Sequence, residues 1–427
     1  MPRAEACVYK RGMRALLLIL FPLMVIGREI AVKDLPVGEP AAFGMSKEGL
    51  EKIGPVVEDL IGEGKLAGAN ILVLRRGHIV YQESFGQQDR ELGKAMKKDT
   101  LFRIYSMTKA LTSAAALMLC EEGKMSLDDP VELFLPELAE PQVWATEGTV
   151  YPARRSSTVR DLLRHTGGFA SSWGEHPVST FYREGMKSKE SWTLEKQMEV
   201  IGKAPLLYPP GTKWVYGSSS DILAAVVAKA AGMPFEKFID ERLIKPLGMV
   251  DTAYSVPAEK VERLSVSYRS EKEGLKVGDP AEGSEMLKEP AFKGGGSGLI
   301  STITDYAKFL QMIANGGRFQ GKRYLRQDTV DLMVTNQLPR QISAISFGDE
   351  VRHGTGFGLG FSVKFARDDR WDKDAALGEY GWGGAASTHY WISPVDELIV
   401  ITMEQTMPYN WNLEQALKPV IYRSIDN

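Results

Sequence analysis

The β-forming residues of this chain lie at its two ends, and that placement constrains the fold more than any other feature. Near the N-terminal end, residues 69–77 and 78–86 are β-rich runs joined at Arg76-Gly77, the pattern of a hairpin. Near the C-terminal end, residues 356–364 read as one strand and 386–392 as another; a turn at 393–397 leads into a third, 398–403. Hairpins this closely spaced pair antiparallel, because parallel neighbours need a long crossover. The expected fold is α/β in the α+β sense. An antiparallel sheet is built from the N- and C-terminal segments and flanked by helices, with an inserted, mostly helical domain. The expected boundaries are 28–124 and 290–427 for the two parts of the α/β domain, and 125–289 for the insertion. An active site is expected at the seam between them.

Helical spacing fills in the rest. Ser46 caps a helix carrying Leu50, Ile53, Val57, Leu60 and Ile61, which Pro55 kinks or splits. Another helix has Asp221 as its cap and Gly232 at its end. One with Tyr306, Phe309, Leu310 and Ile313 follows the glycine run 294–298, and a closing helix carries Trp411, Leu413, Leu417, Val420 and Ile421.

Lys10, Arg11 and Arg14 precede an apolar stretch at 15–27. That stretch is shorter than the roughly 20 residues that span a bilayer. Residues 1–27 therefore read as a secretory signal peptide cleaved after Gly27, with Met13 as an alternative start. Export to the periplasm or beyond is expected, with a membrane-anchored form as the alternative. The two cysteines, Cys7 and Cys120, allow no disulfide framework. The five histidines show no paired metal spacing, so no metal and no cofactor is expected. A net charge of −3 without any Lys/Arg tract argues against nucleic acid, and no stable protein partner is implied.

Chemistry enters at Ser106-Met-Thr-Lys109, which opens an Ala-rich run extending to about Gly123. On a helix, positions i and i+3 share a face, with Cβ atoms about 5–6 Å apart. A serine hydroxyl becomes a nucleophile once a base takes its proton, and a desolvated lysine is such a base. Three other segments carry side chains or amides suited to a cleft. They are Tyr216-Gly-Ser218 just ahead of a helix, Gly294-Gly-Gly-Ser-Gly298, and Tyr380-Gly-Trp-Gly-Gly-Ala-Ala386 leading into an interior strand. The glycine run at 294–298 lacks the G-K-[ST] ending of a phosphate loop. Nor does Ser106 sit in the G-x-S-x-G elbow of a Ser-His-Asp enzyme. His165, in Arg164-His-Thr-Gly-Gly, reads as a loop residue.

In order and spacing, Ser-x-x-Lys, then Tyr-x-Ser about a hundred residues on, then Trp-Gly-Gly before a C-terminal hairpin resembles the serine β-lactamase and penicillin-binding-protein superfamily. Within it, the chain is most similar to the class C β-lactamase-like carboxylesterases called family VIII, over about 43–421. The resemblance implies a β-lactamase/transpeptidase-like fold. It makes Ser106 the acyl-accepting nucleophile, Lys109 its base, and Tyr216 the group that protonates the leaving alcohol and activates water. The backbone N–H groups of Ser106 and Ala385 would form the oxyanion hole, with Ser218, Trp382, Gly383 and Gly384 against the substrate. Two positions depart from the superfamily pattern. Ser218 replaces the usual asparagine of Tyr-x-Asn, and Trp382 replaces the lysine of Lys-Thr-Gly, which pairs with a ligand carboxylate. The implied activity is hydrolysis of small-molecule esters with short to medium acyl chains. The alternatives are a β-lactamase or D-Ala-D-Ala carboxypeptidase using the same residues, or a non-catalytic binder of penicillin-like or cell-wall ligands.

Overall fold

The structure, a computed structural model, describes residues 34–426 except 147 and 188–191. The segment read as a signal peptide, with Cys7, lies outside the described residues. Among the described residues, no helix is long and apolar enough to cross a membrane.

Eight strands form the main sheet: β1 (Gly68–Arg75), β2 (His78–Asp89), β3 (Lys94–Ala95), β4 (Thr355–Phe357), β5 (Ser362–Lys364), β6 (Tyr380–Gly384), β7 (Thr388–Ser393) and β8 (Leu398–Met403). Their order across the sheet is β4-β5-β6-β7-β8-β1-β2-β3, with antiparallel neighbours throughout. The two ends of the chain meet at β1 and β8, in register from Asn70↔Met403 to Arg75↔Leu398. Arg76 and Gly77 both have positive φ (48° and 76°), the backbone of a tight two-residue hairpin turn. Residues 356–364 form two strands, not one, because the chain turns back at 358–361 between β4 and β5.

Side-chain alternation gives the sheet two buried faces. On one, Ala69, Ile71, Val73, Leu398 and Val400 pack with Ile53, Val57 and Leu60 of α1 (Ile53–Gly62). The C-terminal helix Asn412–Arg423 covers the same face through Leu413, Leu417 and Ile421. The interruption expected at Pro55 falls earlier, at Lys52. Ser46 caps a separate short helix, Lys47–Glu51, accepting the Gly49 N–H at 3.0 Å. Pro55 then lies in the first turn of α1, where its missing N–H is no loss.

On the other face, Leu72, Leu74, Ile399 and Ile401 pack under the helix Ile303–Ala314, in one hydrophobic core with α2 (Thr108–Glu121), whose residues from Thr108 to Leu119 are all buried. Against α2 packs α3 (Ser219–Ala231), so the insertion and the sheet share one hydrophobic core. Asp221 is not the cap of α3. Ser218 occupies that position, and Asp221 lies inside the first turn with its carboxylate turned inward. Gly232 closes α3 in the left-handed conformation. Continuing in chain order, α4 is Ile303–Ala314 and α5 is Asn412–Arg423.

Candidate active site

Ser106 sits in a single 3₁₀ turn, Tyr105–Met107, that feeds directly into α2. Lys109, in the first turn of α2, donates from Nζ to Ser106 Oγ (3.1 Å) and to the Gly296 carbonyl (2.6 Å). The three-residue spacing therefore becomes a direct contact.

The glycine run explains how the second bond arises. It threads between α2 and α3, where Thr112 donates to the Gly295 carbonyl (2.8 Å) and Asp221 accepts the Gly296 N–H (2.7 Å). A Cβ on Gly295 would lie 2.4 Å from the Ser220 carbonyl, so the run has to be thin there. Burial raises the Asp221 carboxyl, opposed by Lys109 and by the Gly296 amide. The Gly296 peptide thus links Asp221 to Lys109.

Tyr216 comes in from the loop before α3. Lys109 Nζ lies 4.7 Å from the centre of its ring, and its hydroxyl accepts a bond from Trp382 Nε1 at 3.2 Å. The loop is anchored by the Val215 N–H on the His165 carbonyl (2.8 Å) and the Ser218 N–H on Ala170 (3.0 Å). His165, in the left-handed region, packs its ring 5.2 Å from Tyr216, and burial, with Lys109 nearby, takes the imidazole down to about 3. It supports the tyrosine loop as a neutral ring.

Trp382, on β6, completes the wall with Tyr216 (5.3 Å), Phe357 (5.3 Å) and Phe347 (6.1 Å). Strand β5 pairs only with Tyr380 and Gly381, so among the described residues the β5-side edge of β6 beyond Gly381 has no partner strand, while its other edge pairs with β7 as far as Gly384. A Cβ on Gly384 would lie 2.5 Å from the Ile104 carbonyl. The end of β6 is therefore pressed against the turn that carries Ser106, with half-buried Ala385 next in line.

The structure thus brings Ser106, Lys109, Tyr216, Trp382 and Gly384 to one place. Gly383 faces the other side of β6, toward His389 and Tyr409. Ser218 is also turned away, its buried hydroxyl donating to the Ala170 carbonyl at 2.9 Å. Sequence reasoning missed Asp221 and Gly296 as supports of Lys109. It also missed a hairpin, Ile345–Phe347 with Glu350–Arg352, that places Phe347 5.2 Å from Tyr216. Its strands are three residues each, too short for an alternating pattern to register.

The family model for Beta-lactamase matches residues 54–418. The chain belongs to the β-lactamase family. Within it, the chain is 32% identical to Protein Rv1367c of Mycobacterium tuberculosis, covering 82% of this chain and 89% of that protein. It is 29% identical to Esterase EstB of Burkholderia gladioli, covering 90% and 98%. Among solved structures, EstCE1, described as a hydrolase with promiscuous acyltransferase activity, superposes with a TM-score of 0.74 over 88% of this chain and 99% of that one, at 24% identity. The fold is the β-lactamase/transpeptidase-like one, and the chain is a serine hydrolase of this family.

Proposed function

We propose that this β-lactamase-family hydrolase is a carboxylesterase that works through an acyl-enzyme on Ser106. Lys109 Nζ takes the hydroxyl proton as Ser106 Oγ attacks the ester carbonyl. The tetrahedral oxyanion is held by the N–H groups of Ser106 and Ala385, donors of a kind often worth about 3–4 kcal/mol each. Tyr216 passes a proton to the departing alkoxide, leaving the acyl group on Ser106. The Tyr216 phenolate then takes a proton from the water that attacks the acyl carbonyl, and Lys109 returns its proton to Ser106 Oγ as the acid departs. The observation that carries the ester reading is the Trp382 Nε1–Tyr216 hydroxyl bond. A neutral indole donating to the phenol oxygen supports this reading, because the family resemblance implies a carboxylate-pairing lysine at that position. EstB, a similar protein over most of both chains, bears an esterase name, which supports the same reading.

Initial rates on p-nitrophenyl butyrate and on nitrocefin test the proposal. Turnover of the butyrate that disappears in Ser106→Ala, with nitrocefin far slower, is the expected result. Full esterase activity in Ser106→Ala overturns the mechanism, and comparable nitrocefin turnover overturns the substrate class. Export by residues 1–27 belongs to the same proposal. N-terminal sequencing of the mature protein, expected to begin at Arg28, checks it.

A further inference from the structure

Trp382 also lines a cleft of about 50 Å³, together with Arg352, Thr355, Trp371, Gly383 and Tyr409 among others. It exceeds several-fold the roughly 10–15 Å³ that admits one water. Arg352 is its unusual member. The residue is 7% exposed, and its guanidinium lies among the rings of Phe347 (4.4 Å), Trp411 (4.8 Å), Trp371 (5.1 Å) and Trp382 (5.6 Å). Nε donates to Glu350 at 3.1 Å; among the described residues the two terminal nitrogens have no hydrogen-bond partner. A buried planar fork with both terminal groups unused is a receptor for a carboxylate, which it binds in a bidentate manner. The acids of the same cleft, Asp372, Glu379 and Glu414, are each engaged by Lys418 (2.6, 2.8 and 3.0 Å).

The cleft and the proposed active site share Trp382, whose ring lies 5.6 Å from the Arg352 guanidinium and 5.3 Å from the Tyr216 ring. The wall of the cleft includes Gly381, Trp382 and Gly383 of β6, whose β5-side edge leads to Ala385. At about 3.3 Å per residue, the step from Ala385 back to Trp382 spans about 7–10 Å, the reach of an acyl chain of about six to eight carbons. We infer that Arg352 is a specificity residue for esters whose acyl chain ends in a carboxylate. This rests on the esterase reading of Ser106. The carboxylate bound here is distant from the reacting carbonyl, so the uncharged wall at Trp382 is retained.

Binding without turnover tests it. Ser106→Ala protein is titrated with monomethyl suberate and with neutral dimethyl suberate, following the fluorescence of the tryptophans around Arg352. The half-ester is expected to bind at least about tenfold tighter than the diester. Adding Arg352→Met should erase that ratio, and adding Arg352→Lys should retain part of it. Equal binding of the two esters, or a ratio unchanged by Arg352→Met, overturns the inference. Wild-type turnover is measured separately on p-nitrophenyl octanoate. Its absence would sink the esterase reading, while the binding ratio still decides the role of Arg352.

Discussion

Lys109 and Lys418 are both buried lysines on helices, yet their surroundings differ in kind. Lys109 meets a serine hydroxyl, a peptide carbonyl and the face of a tyrosine. Lys418, on α5, meets three carboxylates. Burial works to lower the Lys418 ammonium, but Glu379, Glu414 and Asp372 outweigh it and hold it well above the ordinary lysine range. Such a clamped proton is useless to a base. What separates the structural cation from the candidate catalyst is the charge of its neighbours, since both side chains are buried.

That contrast can be broken by exchanging losses. Ser106→Ala and Lys109→Ala are each expected to lower kcat on p-nitrophenyl butyrate by about 10³-fold or more, with the thermal midpoint moving little. Lys418→Met should do the reverse. It leaves the buried carboxylates of Glu379 and Glu414, and the half-buried Asp372, without their cation, a loss of about 3–5 kcal/mol in denaturant unfolding, while the folded fraction keeps its Ser106-dependent activity. If Lys418→Met abolishes activity in fully folded protein, the division of roles is wrong. Trp382→Phe sharpens the catalytic side. It keeps the ring and removes the donor to Tyr216, and about tenfold in kcat is the expected loss.

A further effect concerns a buried carboxyl with no cation paired to it among the described residues. Glu404 follows β8 without a well-formed hydrogen bond, and burial pushes it up to about 8, with Thr406 offsetting part of this. A carboxyl whose folded value lies above its unfolded value of about 4.3 contributes stability that is complete below that value. This contribution is lost as pH rises to about 8. Thermal midpoints measured from about pH 5 to about pH 8.5 should therefore fall more steeply in the wild type than in Glu404→Gln. Parallel curves would show that Glu404 does not titrate in this window.

Much of the fold was legible because β and helical periodicities are local. The hairpin at Arg76-Gly77, the strand Leu398–Met403 and the helices beginning at Thr108 and Ile303 all stand where their patterns place them. Errors arose where a tertiary contact decided a local feature. Asp221 has the chemistry of a helix cap, but the Gly296 amide captures it from outside its own helix. The family resemblance implies Ser218 against the substrate, whereas its hydroxyl donates to the Ala170 carbonyl.

By itself, the sequence determined which atoms are available for chemistry: a hydroxyl and an amine three residues apart, a phenol, and an indole where a lysine is usual. Those are properties of residue type and short spacing. Only the tertiary structure decided what faces each of them. Gly296 is 187 residues from Lys109 and Trp382 is 166 residues from Tyr216, and no local pattern encodes which carbonyl or ring arrives across such a separation. The same holds for Arg352, an unremarked residue in the sequence whose surroundings exist only once the sheet, the short hairpin and the C-terminal segment have come together.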